Sequence, residues 1–175
     1  VSQSDLYVQR DVEHFKLSYG DTLRTVGTRN KHFLLGFHED FERQTGIHVP
    51  LLYPRPDYPL SAEEKSVPLI NGRYWVILSG GKSDFVTKHW VYKRWQQLVN
   101  VLRGSGLRFV QVGAISQPGK KVVHFHPVME NVLSLVGLTT LRDMARLIYH
   151  ADGVICSVTA AMHMAAALQK PRVQV

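Results

Sequence analysis

The chain has 175 residues, 45% of them apolar, and a formal net charge of +7. This length is enough for one full domain and part of a second, and no apolar run approaches the roughly 20 residues that a membrane-spanning helix requires. The positive charge favours anionic partners. Because the basic residues are scattered and no zinc-finger, basic-zipper or RNA-recognition signature is present, we expect no nucleic acid partner.

The single cysteine suggests the compartment in which the protein resides, and the two ends of the sequence suggest its completeness. Cys156 lies in an apolar run, so we predict a small buried hydrophobic residue in a reducing compartment. No segment resembles a signal peptide, and we expect a cytoplasmic protein. The sequence begins at Val1 and ends in a strand-like run, so we expect it to be part of a longer protein.

The first part of the chain is predicted to hold one helix and a connector. Phe33, Phe37 and Phe41 recur every four residues, which predicts an amphipathic helix over residues 32–45 that ends at Gly46. Four prolines in residues 50–59 predict an extended connector. We place a domain boundary in this region: residues 1–66 form the end of one domain and a linker, and residues 67–175 form a second domain.

From residue 71 onward, short β-rich runs alternate with helical periods. The pattern predicts strands over residues 74–79, 107–113, 132–136, 152–157 and 172–175. Helices are predicted over residues 91–102, 141–148 and 159–168. Repeated strand-helix-strand units predict a Rossmann-like, doubly wound parallel α/β sheet. Ligands of such sheets bind at the carboxyl ends of the strands.

A glycine-rich turn follows the first of these strands. Gly80 and Gly81 let backbone amides approach a ligand, and Lys82 and Lys88 add positive charge, so the turn suits a diphosphate at a helix start. The Walker spacing is absent, so the turn is not a P-loop. The alternative is an ordinary strand-to-helix turn with solvated lysines.

Two further turns carry residues suited to a ligand. Thr159 can cap the last helix or contact a phosphate oxygen, and His163 lies one turn further in. The alternative for this helix is tight packing on the sheet, with a structural histidine. The turn over residues 136–141 could offer backbone groups to the edge of a base, although a plain capped turn explains the same residues.

Two histidines lie two residues apart in a predicted extended segment. His124 and His126 could point from one face of a strand as metal ligands do. The sequence places no third ligand beside them, so a surface histidine pair is the better interpretation and we expect no metal site.

These segments, in this order, resemble family-nine glycosyltransferases, the group that includes the lipopolysaccharide heptosyltransferases. The resemblance runs from about residue 74 to residue 175. It is carried by Lys88-His89-Trp90, by the Gly113 strand end, by residues 137–141, and by the helix over residues 159–168 with His163 and Pro171. The last segment is the most specific.

The resemblance implies part of a two-domain GT-B fold, with the donor nucleotide held by the C-terminal Rossmann-like domain. It implies that Gly80, Gly81, Lys82 and Lys88 face the donor diphosphate, with Lys88 stabilising the leaving group. Further donor contacts are implied for Leu138, Thr139 and Leu141 at the base, and for Thr159, Ala160 and His163 at the phosphates or sugar.

The implied reaction is an inverting, metal-independent transfer of a sugar, a heptose among the candidates, to a bacterial lipopolysaccharide-type acceptor. The donor is a nucleotide-diphosphate sugar, ADP-linked donors included, and no cofactor is expected. An anionic glycan or glycolipid acceptor and peripheral contact with the inner membrane would suit the basic surface. The chain carries no match to the family's acidic general base, which we expect outside it.

The chain departs from the family pattern beside Thr159. Many members have an acidic residue before the threonine and a glycine after it, where this chain has Val158 and Ala160. The identity of the donor sugar therefore stays open. Two alternatives remain: a nucleotide-sugar epimerase of GT-B fold, and a catalytically degenerate domain that binds a nucleotide or glycan.

Overall fold

The structure is a computed structural model that describes residues 31–53, 55–83, 89–116 and 123–175. It divides into two compact units, Val1–Pro54 and Arg55–Val175. The division falls within the proline-rich connector and earlier than residue 66, so residues 55–66 group with the second unit. The assignment of the first unit to an acceptor-side domain stays a prediction.

The described part of the first unit holds the predicted helix. Helix α1 spans Phe33–Thr45, and the His32 side chain accepts a hydrogen bond from the Leu34 backbone N–H at its start. Gly46 ends the helix in the left-handed conformation, with φ of 69°, and donates to Glu42 O. A residue with a Cβ would be strained there, so the predicted stop at Gly46 is confirmed.

The second unit is a five-stranded, wholly parallel sheet with helices on both faces. Its elements are α2 (Ala62–Ser66), β1 (Trp75–Leu78), β2 (Gly81–Lys82), α3 (Tyr92–Leu102), β3 (Phe109–Gln111), β4 (His124–Phe125), β5 (Val132–Ser134), α4 (Leu141–His150), β6 (Gly153–Cys156), α5 (Ala160–Ala167) and β7 (Arg172–Gln174). The five predicted strands and three predicted helices are all present, with shorter strands than the sequence pattern indicated.

The strand order is β5-β3-β1-β6-β7. Numbered by position among the five strands, this is 3-2-1-4-5, the order of a Rossmann-like sheet. The chain therefore has the predicted doubly wound α/β fold. The connections leave β1 in opposite directions along the sheet, so the topological switch lies between β1 and β6, and a crevice is expected at their carboxyl ends.

Alternation along β1 builds two cores, one on each face of the sheet. Val76 and Leu78 pack with α4 and α5, whereas Ile77 packs with Trp95 and Val99 of α3. Val76 and Ile77 are fully buried. Burial on both faces explains the continuous apolar runs of the central strands, which are typical of parallel sheets.

The start of α4 is fixed by a reciprocal cap. The Thr140 hydroxyl accepts from the Asp143 backbone N–H, and the Asp143 carboxylate accepts from the Thr140 N–H, both at 3.0 Å. This capping box satisfies two of the free amides at the helix start. It confirms the predicted cap and aims the Thr139–Leu141 turn at the carboxyl edge of the sheet.

Two short strands form a ribbon that the sequence did not reveal. Strand β2 pairs antiparallel with β4, so that Gly81 lies opposite Phe125 and Lys82 opposite His124. The crossover from β3 to β5 carries β4 and has no helix in its described residues, 112–116 and 123–131. The ribbon thus stands at the carboxyl edge of the sheet, next to β1 and β3.

Candidate functional site

A cavity of about 550 Å³ lies at the carboxyl ends of the central strands. Its walls are the turns that follow β1, β3, β5 and β6, together with the β2–β4 ribbon. The lining residues are Leu78, Gly80, Gly81, Lys82, His89, Gly113, Ala114, His124, His126, Thr139, Thr140, Leu141, Met144, Ser157, Val158, Thr159 and Ala160. The cavity therefore occupies the topological switch point at which doubly wound sheets bind ligands.

Most of the predicted donor-binding residues meet in this cavity. Those that line it are Gly80, Gly81, Lys82, Thr139, Leu141, Thr159 and Ala160. Leu138 and His163 are not among the lining residues: Leu138 is 75% exposed, and His163 is exposed on α5. Lys88 falls outside the described residues. The donor-binding roles of all these residues stay predictions.

The start of α5 faces the cavity with an unpaired hydroxyl. Thr159 is the N-cap residue, yet its side chain makes no capping hydrogen bond. Its Oγ1 atom is buried and has no hydrogen-bond partner among the described residues. The first amides of a helix also lack intrahelical partners and carry partial positive charge. The Met162 N–H donates to Thr159 O; unlike the start of α4, the start of α5 has no side-chain cap, so the amides before Met162 are candidate donors to an anion.

The described wall of the cavity carries basic side chains and no acidic ones. The described lining residues include one lysine and three histidines and no aspartate or glutamate. An anion entering the cavity therefore meets no opposing carboxylate from these residues, in keeping with the basic composition of the chain.

His124 and His126 are the functional candidates that the sequence interpretation missed. Both side chains are partly exposed and line the cavity, so the predicted histidine pair lies within the candidate site. Their Nδ1 atoms are buried and unpaired within the described structure. The pairing of β4 with β2 places them there, and no local sequence pattern signals that pairing.

Cys156, the last residue of β6, is fully buried. Burial raises the pKa of the Cys156 thiol to about 11, so the thiol is protonated at neutral pH, in line with its predicted buried role. In the described segments, no group of three or more His, Cys, Asp or Glu residues is arranged to hold a metal ion. None of the described helices has the length and apolarity to span a bilayer.

Residues 29–175 match the model of glycosyltransferase family 9 (heptosyltransferase). The chain belongs to glycosyltransferase family 9. This confirms the resemblance stated from the sequence. No curated protein sequence matches the chain.

Solved structures share the fold. The E. coli heptosyltransferase WaaC with ADP is 24% identical, with a TM-score of 0.56 over 82% of this chain and 44% of its own. E. coli ADP-heptose lipopolysaccharide heptosyltransferase II is 20% identical, with a TM-score of 0.52 over 73% of this chain and 41% of its own. A family 9 glycosyltransferase from Veillonella parvula is 14% identical, with a TM-score of 0.58 over 82% of this chain and 43% of its own.

The chain spans less than half the length of these structures. They are GT-B glycosyltransferases, which agrees with the predicted fold class. These comparisons give no support to the epimerase alternative.

Proposed function

We propose that this chain is the donor-binding part of a glycosyltransferase and that its cavity holds the nucleotide diphosphate of a sugar donor. The observation that carries the proposal is the uncapped start of α5, with its buried, unpaired Thr159 hydroxyl, in a cavity whose described wall has no carboxylate. Free helix amides and an unpaired hydroxyl suit phosphate oxygens.

The fold relatives support the choice of a nucleotide diphosphate. The E. coli heptosyltransferase WaaC has been solved with ADP and with ADP-2-deoxy-2-fluoro heptose. We therefore infer that an ADP-linked sugar, with a heptose as the first candidate, is the donor. In the proposed reaction the sugar passes to a hydroxyl of a lipopolysaccharide-type acceptor with inversion at the anomeric carbon.

The residues of this chain would act on the leaving group. As the bond between the anomeric carbon and the phosphate oxygen breaks, negative charge grows on the diphosphate. The α5 amides, Lys82 and, as a prediction from the sequence, Lys88 would offset that charge without a metal ion. Loss of one such electrostatic contact typically raises a barrier by roughly 3 kcal/mol. The base that deprotonates the acceptor is proposed to lie outside this chain.

Calorimetric titration of the chain with ADP, UDP, GDP and CMP tests the proposal. We expect saturable binding of ADP, weaker or no binding of CMP, which has only one phosphate, and weaker binding of ADP to the Lys88→Ala variant. Equal binding of CMP and ADP would contradict a diphosphate site, and a folded chain that binds none of the four nucleotides would contradict the proposed function.

A further inference from the structure

His126, the residue that directly follows β4, lies between the ends of the two neighbouring strands β1 and β3. Gly80 follows β1, Gly113 follows β3, and a Cβ atom added at either glycine would collide with the His126 imidazole. At Gly113 the three nearest atoms that the Cβ would meet all belong to His126. At Gly113 only glycine leaves room for the ring, whereas at Gly80 the backbone oxygen of Phe125 also occupies the space that a Cβ would need.

The hydrogen bonding of His126 shows that its Nε2 atom carries a hydrogen. Its Nε2 atom lies 2.9 Å from Ala114 O, and because a carbonyl only accepts, Nε2 carries the hydrogen. The Nδ1 atom is buried without a partner in the described structure. A proton on Nδ1 would thus be a second buried donor with nothing to receive it, which is costly.

The surroundings of His126 lower the pKa of its side chain. Burial lowers its pKa most, and His124 on the same ribbon and His89 before α3 lower it further, while the Ala114 carbonyl acts in the opposite direction. The described lining of the cavity supplies no carboxylate to favour the charged form. The ring is therefore neutral at neutral pH.

The segment that carries His126 is tied to both strand ends by polar bonds. Gln111, at the end of β3 and 2% exposed, donates from Nε2 to Ser79 Oγ at 2.9 Å and to Pro127 O at 2.8 Å. On the other side, Gly81 pairs with Phe125. One connected wall of the cavity is thus formed by the Gly80–Gly81 turn, the end of β3 and the segment that carries His126.

Resting on the proposed function, we propose that His126 is a positioning residue for the donor diphosphate. Its imidazole holds the Gly80–Gly81 turn and the end of β3 at the separation that admits a nucleoside diphosphate between them and the start of α5. The residue acts through the shape of the wall, and its removal lets the two strand ends move into the cavity.

The test compares ADP affinity among variants of the 175-residue chain. We expect His126→Ala to bind ADP at least about tenfold more weakly. His126→Gln, whose amide N–H can replace the Nε2 donor, should stay close to wild type. His48→Ala is the matched control, since the His48 side chain is 82% exposed in the other unit, and it should bind as wild type does.

A second arm separates positioning from general destabilisation. Gly113→Ala should weaken ADP binding in the wild-type background but add little in the His126→Ala background, because the collision partner is then gone.

The outcomes are distinguishable. If the wild type binds ADP and His126→Ala binds it equally well, the positioning role is overturned and the proposed function stands. An equal penalty from Gly113→Ala in both backgrounds would also overturn the positioning role. If the folded wild type binds no nucleoside diphosphate, the proposed function fails and the positioning role fails with it.

Discussion

Arg142 and Glu64 form a two-bond ion pair that joins α4 to α2. The Arg142 Nε atom lies 2.6 Å from Glu64 Oε1, and a terminal nitrogen lies 2.5 Å from Oε2. The same guanidinium lies over the Tyr58 ring, 5.6 Å from its centroid, and His150 Nε2 lies 2.8 Å from Glu64 O. These contacts therefore join the segment over residues 58–64 to α4, the helix whose first turn lines the cavity.

This ion pair should make stability depend on pH in the acid range. The hydrogen bond from Arg142 is the main reason that the pKa of Glu64 is lowered from 4.5 to about 2. A carboxyl group with a lowered pKa contributes stability above 4.5, and this contribution is lost as the pH falls from 4.5 towards 2. We expect Glu64→Gln to lower the thermal midpoint by about 1–3 °C at pH 7.

Thermal unfolding at pH 7 and pH 2 checks this prediction. The difference between wild type and Glu64→Gln should shrink at pH 2, where Glu64 is protonated in about half of the folded molecules and in nearly all of the unfolded ones. Glu63→Gln, in the same helical turn and exposed, should show no such effect. A Glu64→Gln effect that is the same at both pH values would contradict the ion-pair explanation.

Replacement of Thr159 by valine should separate binding from stability. The buried hydroxyl has no partner in the described structure, so its removal should leave the thermal midpoint unchanged or raise it. If the hydroxyl binds a phosphate oxygen, ADP affinity should fall roughly tenfold, as for a lost hydrogen bond to a charged group.

Thr159→Ser is the matched control for that experiment, because it keeps the hydroxyl and should keep most of the affinity. A valine variant with wild-type affinity for ADP would show that the hydroxyl does not contact the nucleotide.

The buried Tyr74 hydroxyl should contribute to the stability of the sheet. It donates to Leu147 O at 2.9 Å, and burial raises the pKa of Tyr74 to about 12. Because Leu147 O also accepts from Ala151 N, Tyr74→Phe leaves no orphaned carbonyl and should cost about 1 kcal/mol, or about 2–4 °C in thermal midpoint. Tyr92→Phe, at an exposed position, should be neutral in the same unfolding measurement.

Much of the fold follows from local patterns in the sequence. The 3.6-residue period of α3 and α4, the apolar strands and the Gly46 stop each depend on residues close together in the chain, and all are found in the structure. Helix α2 was missed because five residues are too few to show a period. Its capping box of Ser61 and Glu64 was the signal that could have revealed it.

The sequence predicted the parts of the candidate site that follow the parallel strands of the main sheet. Turns that follow parallel strands meet at one edge of the sheet, which explains why Gly80, Thr139 and Thr159 lie together as expected from the sequence. His126 reaches the same edge through antiparallel pairing of two-residue strands far apart in the chain, and such pairing leaves no local pattern. Leu138 follows Gly137, whose positive φ of 75° turns the chain, and its side chain lies largely in solvent.

The proposed function requires a nucleoside diphosphate at the start of α5, against the Gly80–Gly81 turn. Titration of the ¹⁵N-labelled chain with ADP, followed by amide chemical shifts, would locate the bound nucleotide. We expect the largest shifts at Gly80, Gly81 and residues 159–161, with little change in α1 or at the far end of α3. Shifts spread over the basic surface without saturation, or saturating shifts away from the cavity, would contradict it.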